Sequence, residues 1–184
     1  MKYYIAYGSN LNVAQMKIRC PQAKVAGTTE LNNYRLMFRG SQTGSYLTIE
    51  PYDGGAVPVA VWEVSDSDER ALDRYEGYPR FYYKKHLSVT VDGRSITAFV
   101  YIMHEDRPYG SPSRYYVEVC EEGYDTFGFD KAVLHEAIRQ SRRCPICHQP
   151  IIGYPALSRT DNRTEICADC GTRQALSVFR EATK

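Results

Sequence analysis

Two cysteine pairs near the C-terminus constrain this chain more than any other feature. Cys144-Pro145-Ile146-Cys147 and Cys167-Ala168-Asp169-Cys170 stand 19 residues apart. Each C-x-x-C turn presents two thiols from one knuckle, and two knuckles at this spacing set four thiolates tetrahedrally around Zn²⁺. Four cysteine ligands close the coordination shell, so the spacing predicts a structural zinc rather than a catalytic one. Gly171, directly after the second pair, supplies the permissive backbone that such a knuckle uses. His148 adjoins Cys147 and is read as a free side chain. In a reducing compartment, cysteines paired in this way favour metal over cystine.

A metal-held segment of roughly 40 residues has too little core to fold alone, and the ion makes up the deficit. The composition changes over Arg139 to Arg143, which sets a boundary near Ser141 and predicts two units, 1–141 and 142–184. Arg142, Arg143, Arg159, Arg163, Arg173 and Arg180 make the second unit the more basic, balanced in part by Asp161, Glu165, Asp169 and Glu181. A net charge of +1 over the whole chain draws it to neither nucleic acid nor an anionic membrane. Nucleic-acid contact through the tail stays open beside the simpler role of docking or stabilising a protein surface.

The first unit lacks an apolar leader, and no stretch approaches the 18 apolar residues of a membrane span, so the chain is read as cytoplasmic. It holds most of the chain's 16 tyrosines, against 6 phenylalanines and one tryptophan. Tyrosine couples an apolar body to a polar tip, which suits a core wrapped around a wet, hydrogen-bonding pocket.

Periodicity and turn chemistry outline the elements. Residues 2–7 read as a strand broken by Gly8-Ser9-Asn10, after which Asn12 caps a short helix to Arg19, with Gln15 as capping-box partner. Residues 23–50 are strand-like, with turn signals at Asn32-Asn33 and around Gly40 to Gly44. Residues 56–64 form a strand, and Ser65 caps a helix from Asp66 to about Tyr75 that Gly77 and Pro79 close. Strands 86–91 and 95–103 meet at an Asp92-Gly93 hairpin turn. Helices are expected over residues 113–121 and 129–142.

Two stretches carry chemistry. In Tyr7-Gly8-Ser9-Asn10-Leu11, a glycine between strand and helix lets backbone N–H groups converge on a carboxylate, a phosphate or a developing oxyanion. In Leu72-Asp73-Arg74-Tyr75-Glu76-Gly77-Tyr78-Pro79, Glu76 meets the unfavourable end of a helix dipole among aromatic residues. Desolvation there raises a carboxyl pKa toward neutrality, as a group that both takes and returns a proton needs. The residues alone leave open a plain turn at the first stretch and a solvated glutamate at the second. Cys20 and Cys120 are read as small buried hydrophobes, and His86, His104 and His135 as structural or solvated. Asp125, Arg35, Arg39 and Arg80 stay open as pocket residues.

Taken in order and at this separation, the two stretches resemble the gamma-glutamylcyclotransferase-like family. Val59-Ala60-Val61-Trp62-Glu63-Val64, Phe99-Val100-Tyr101-Ile102-Met103 and Ser111-Pro112-Ser113-Arg114-Tyr115-Tyr116 extend the likeness from Tyr3 to about Ile138. The resemblance implies an α+β fold, a mixed β-barrel with flanking helices. It further implies cyclisation of a γ-glutamyl group to 5-oxoproline with release of an amine or amino acid, and no cofactor for catalysis. It assigns Glu76 as general acid/base, Tyr7, Gly8, Ser9, Asn10 and Leu11 as the loop that cradles the glutamyl group, and Tyr101 as a pocket residue. The C-terminal segment resembles zinc-ribbon tails carried by bacterial and phage-encoded proteins. Two readings of another class remain: a non-catalytic binder of a small metabolite in the same pocket, and an adaptor working through the ribbon.

Overall fold

The computed structural model describes residues 1–41, 44–151 and 154–182. Its frame is a five-stranded mixed sheet in the order β2-β3-β1-β5-β4. The short strand β1 (Lys2–Ala6) lies at the centre, antiparallel to β3 (Gly44–Val64) and parallel to β5 (Arg94–Met103). Ile5 and Ala6 are fully buried there, as apolar side chains covered on both faces of a sheet must be. Strand β2 (Lys24–Ser41) pairs with β3, and β4 (Tyr82–Val91) pairs with β5.

The expected α+β class holds, with one correction to the barrel. Among the described residues the ladder has two ends, β2 and β4, so the sheet curls without closing. The curl brings Gly27 of β2 against Val91 of β4, where a Cβ on Gly27 would stand 2.4 Å from Val91 Cγ1.

The turn signal at Asn32-Asn33 marks a bulge instead of a chain reversal. The β2–β3 ladder runs through it with a register shift between Asn32 and Tyr34, and Asn33 adopts φ 61°. Both a turn and a bulge demand a residue that tolerates positive φ, so the same amino acids signal either. Asn33 Oδ1 accepts a 3.2 Å bond from the Gly54 N–H in the facing strand. Asp92 (φ 48°) and Gly93 (φ 75°) form the expected hairpin turn between β4 and β5.

Between β1 and β2, a 3-10 turn (Ser9–Leu11) leads into helix α1 (Val13–Arg19). Asn12 caps α1 by accepting from the Gln15 N–H at 3.1 Å, but the Gln15 side chain bonds Arg19 instead of completing a capping box. Helix α2 (Asp66–Glu76) begins in a full capping box between Ser65 and Asp68, and Gly77, at φ 64°, ends it. Helix α3 (Arg114–Phe127) runs six residues past the expected Glu121, and α4 (Ala132–Ser141) starts later than expected because Phe129 packs on Tyr124 and Phe127. The tail adds β6 (Ala156–Leu157), β7 (Glu165–Ile166) and an unforeseen helix α5 (Ala168–Ala182). Arg180, counted among the basic residues of the tail, has its side chain outside the described set. No described helix is long and apolar enough to cross a membrane.

Helix α3 fixes the position of the 3-10 turn through a close backbone approach at Gly123. A Cβ there would meet Leu11 Cβ at 2.5 Å and the Leu11 carbonyl carbon at 2.8 Å. Overpacking against backbone cannot be relieved by a rotamer change. Gly123→Ala is therefore expected to lower stability by about 1–3 kcal/mol in urea denaturation.

Candidate active site

Strand β1 delivers Tyr4, the segment after it delivers Tyr7 and Gly8 to Asn10, and the C-terminus of α2 delivers Tyr75 and Glu76. These elements surround a cavity of about 350 Å³ whose wall includes Ser9, Tyr46, Glu76, Tyr82 and Tyr116. A small recess of about 30 Å³ continues it inward past Tyr4, Tyr7, Gly8, Asn10 and Tyr101. Glu76, Ser9, Tyr82 and Tyr116 line both, so the carboxyl stands at the seam between chamber and recess.

Asn10 anchors that carboxyl. Its Nδ2 donates to Glu76 Oε1 at 2.8 Å and to the Tyr4 hydroxyl at 2.8 Å, while its Oδ1 accepts from Arg19 Nη1 at 2.7 Å. The Arg19 guanidinium stands over the Tyr75 ring, 3.8 Å from its centroid, and Tyr75 shares a 3.2 Å hydrogen bond with Ser9. Glu76 keeps a narrow window on the cavity, yet packed protein surrounds its carboxyl. This desolvation pushes its pKa up to about 7, against the opposing pull of the Arg19 charge and the Asn10 bond.

The phenols around the carboxyl stay protonated. Burial raises the pKa values of Tyr4, Tyr7, Tyr82 and Tyr116 well above the usual tyrosine value. Tyr7 donates to the Tyr101 carbonyl at 2.7 Å and Tyr82 to the Leu47 carbonyl at 2.8 Å, while the Leu47 N–H donates to Tyr116 at 3.3 Å. The Tyr101 hydroxyl donates to Asp73 Oδ1 at 2.6 Å, and Lys84 neutralises that carboxylate at 2.7 Å. Burial, then the Asp73 partner, raises the Tyr101 pKa as well.

Of the residues singled out in the sequence, Tyr7, Gly8, Ser9, Asn10, Glu76 and Tyr101 come together around this cavity. Leu11 does not line it: fully buried, it packs beneath the turn against Gly123. Gly8 is tightly enclosed, since a Cβ there would lie 3.3 Å from the Tyr116 hydroxyl and 3.4 Å from Leu47 Cβ. Arg35, Arg39, Arg80 and Asp125 lie elsewhere. Arg39 pairs with Glu50, Arg35 borders a separate hollow beside α4, and Asp125 pairs with Lys131. Cys20 and Cys120 are buried, with thiols pushed up by burial to about 11 and about 12. His135 bonds Glu121, and His104 bonds the Pro79 carbonyl. Missed were Tyr4, Tyr46 and Tyr82, whose one trace was the tyrosine surplus, and Arg19, for which the sequence carried no signal.

The four tail cysteines form a second centre. Their Sγ atoms all lie within 4.8 Å of one another, and Cys147 and Cys167 approach to 3.5 Å. Sulfurs of a tetrahedral Zn²⁺ site stand about 3.8 Å apart when each bond is near 2.3 Å, so this donor set fits a metal ion. Backbone bonds from His148 N–H to Cys144 and from Gly171 N–H to Cys167 shape the two knuckles. Ile151 and Ile166 give the tail a small core of its own.

Comparison with known proteins places this arrangement. Residues 4–120 match the family model described as gamma-glutamyl cyclotransferase, AIG2-like. The chain is 32% identical over 127 residues to gamma-glutamylcyclotransferase of Homo sapiens, covering 63% of this chain and 66% of that protein. It is 33% identical over 110 residues to gamma-glutamylcyclotransferase of Bos taurus, covering 54% and 58% respectively. The chain thus spans less than two thirds of the length of these curated relatives. A solved structure of a gamma-glutamyl cyclotransferase superposes with a TM-score of 0.66 at 24% identity, over 86% of this chain and 94% of that one, which establishes the shared fold.

Burial of Glu76 has a consequence for stability. Its folded pKa of about 7 lies above the ordinary 4.5, so between these values the folded chain holds a proton that the unfolded chain releases. Stability from this group is greatest below pH 4.5, falls as pH rises to about 7, and then levels off. Glu76→Gln should lack this slope and at pH 8 be more stable than the wild type by about 2–3 kcal/mol, read from urea midpoints at pH 5 and pH 8.

Proposed function

The chain belongs to the gamma-glutamyl cyclotransferase, AIG2-like family, and on that premise we propose that it cyclises a γ-glutamyl group to 5-oxoproline and releases the attached amine or amino acid. The observation that carries the proposal is a half-hidden carboxyl, poised near neutral pH, at the seam of a cavity walled largely by tyrosines. In this reading the substrate's γ-glutamyl end enters past Ser9 toward the recess at Gly8 to Asn10, and Leu11 and Gly123 hold that turn in place from beneath.

Glu76 takes a proton from the substrate's α-amino group, and the freed nitrogen attacks the γ-carbonyl carbon. A carbon–nitrogen bond closes the five-membered ring, the γ-amide carbon–nitrogen bond breaks, and Glu76 returns the proton to the departing nitrogen. A pKa of about 7 suits both transfers, because neither the acid nor the base form is scarce near neutrality. The oxyanion formed in the attack is met by N–H groups of the Gly8 to Asn10 turn, whose first donors have no partner within the turn itself. Nucleophile and electrophile belong to one molecule, so holding it folded supplies much of the rate, roughly 7–11 kcal/mol in well-oriented intramolecular reactions. Tyr101, tied to Asp73, and the neutral phenols shape the recess without competing for the proton.

The tail is proposed as a unit of its own, 142–184, in which Cys144, Cys147, Cys167 and Cys170 hold a structural Zn²⁺. Arg173 donates to Cys170 Sγ at 3.1 Å, the outer-sphere contact that steadies a thiolate ligand.

Release of 5-oxoproline from γ-glutamyl dipeptides and γ-glutamyl amines tests the activity. Glu76→Gln should reduce kcat by a factor of about 10²–10⁴, and wild-type kcat/KM should rise with pH through an apparent pKa near 7 as the base form appears. Undiminished turnover in the variant would remove Glu76 from the mechanism, and absence of turnover in the wild type would favour a metabolite-binding role. For the tail, elemental analysis should find one zinc per chain, lost in Cys147→Ser/Cys170→Ser.

A further inference from the structure

Beside the cavity that holds Glu76 lies a second, outer cleft of about 560 Å³. Ser9, Tyr46, Tyr75 and Tyr116 line both spaces, so the two adjoin. The inner cavity already has room for a γ-glutamyl group, and both volumes fall in the roughly 300–1,000 Å³ typical of small-molecule sites. A substrate that ended at the inner cavity would leave the outer one unused.

The walls of the outer cleft have a distinct chemistry. Ile18, on α1, is 83% exposed, Tyr115, at the start of α3, is 71% exposed, and Tyr75 is 47% exposed. These side chains flank the cleft together with Val119 and Tyr116. Scattered exposed hydrophobes are ordinary, but apolar and aromatic residues gathered at the mouth of a catalytic cavity mark a surface that a ligand covers. No carboxylate lines this cleft, and Arg19, the cation in its wall, repels a cationic amine. A flat apolar group can instead lie against the tyrosine faces, where aromatic contact adds to area burial.

We propose that the outer cleft seats the leaving half of the substrate, and that this half carries a bulky aromatic or apolar side chain. The inference rests on the cyclotransferase reading of the inner cavity. In it the γ-glutamyl end reaches Glu76, the scissile amide lies near Ser9, and the aromatic group rests on Ile18, Tyr75 and Tyr115. After ring closure the departing amine leaves through the same cleft, whose mouth is its direct route to solvent.

Two measurements separate this proposal from the reading beneath it. Turnover of γ-glutamylphenylalanine is compared with that of γ-glutamylalanine, and kcat/KM should favour the aromatic substrate by at least about tenfold, mostly through KM. Calorimetric binding of the same two ligands to the Glu76→Gln protein should show a similar preference without any turnover. In the double variant Ile18→Asp/Tyr115→Ser the aromatic-over-alanine ratio should fall to within about twofold. Both residues are exposed, and a matching circular-dichroism melt shows that the variant folds. Equal binding of the two ligands, or a preference that survives the double substitution, overturns the assignment of the cleft. A tenfold binding preference in a wild type that turns over neither ligand upholds the cleft and sinks the cyclotransferase reading alone; loss of both removes both.

Discussion

The amide of Asn10 is oriented from two sides at once. Arg19 donates to its oxygen, which leaves its nitrogen to face Glu76 and Tyr4. An amide held in this sense can only donate to the carboxyl, and a donor favours the ionised form. The same bonds tie the turn after β1 to the last residue of α2, two elements separated by some sixty residues of chain. Arg19 adds a positive charge close by and braces Tyr75 from above. Without these partners desolvation would hold the Glu76 pKa higher still; with them the carboxyl titrates near 7.

Charge is scarce around this group by construction. The tyrosines of the wall have their hydroxyls satisfied by backbone atoms or by one another's neighbours, and burial keeps them neutral. With Arg19 reaching the carboxyl from one side and neutral phenols forming the rest of the wall, the site is hydrogen-bonding but of low effective dielectric, where the arrival of one further charge is felt strongly. The ion pairs of the region lie one layer back, where Lys84 joins Asp73 and Glu69.

How much of this was legible in the sequence follows from how local each signal is. Ser65, Gly77 and the Asp92-Gly93 pair encode their own backbone geometry, and each stands in its expected role. The cysteine spacing encodes its own cluster. Asn32-Asn33 was ambiguous in kind, because positive φ serves bulge and turn alike, and the facing strand decided between them. Leu11 was inseparable from its loop neighbours in sequence; only the approach of Gly123 shows that it belongs to the core. The tyrosine wall could be anticipated as a composition but not as a list. Its members come from β1, β3, α2, β4, β5 and α3, and the curl of the sheet is what makes them neighbours.

The tail meets the rest of the chain lightly. Its residues enclose a hydrophobic cluster of their own, separate from the main core, and at the junction the Arg143 guanidinium rests 4.5 Å from the Tyr109 ring, which Arg39 meets at 4.2 Å. A stacked cation of this kind contributes on the order of 1 kcal/mol, far less than either cluster needs to hold itself together. Cooperativity in melting requires that one part cannot survive the loss of the other, and so weak a seam does not enforce it. Heat and chelators then become different questions put to the same molecule: with a metal ion held by the four thiolates as proposed, a chelator would dissolve the tail while the sheet stands, and no single melting temperature would describe the whole.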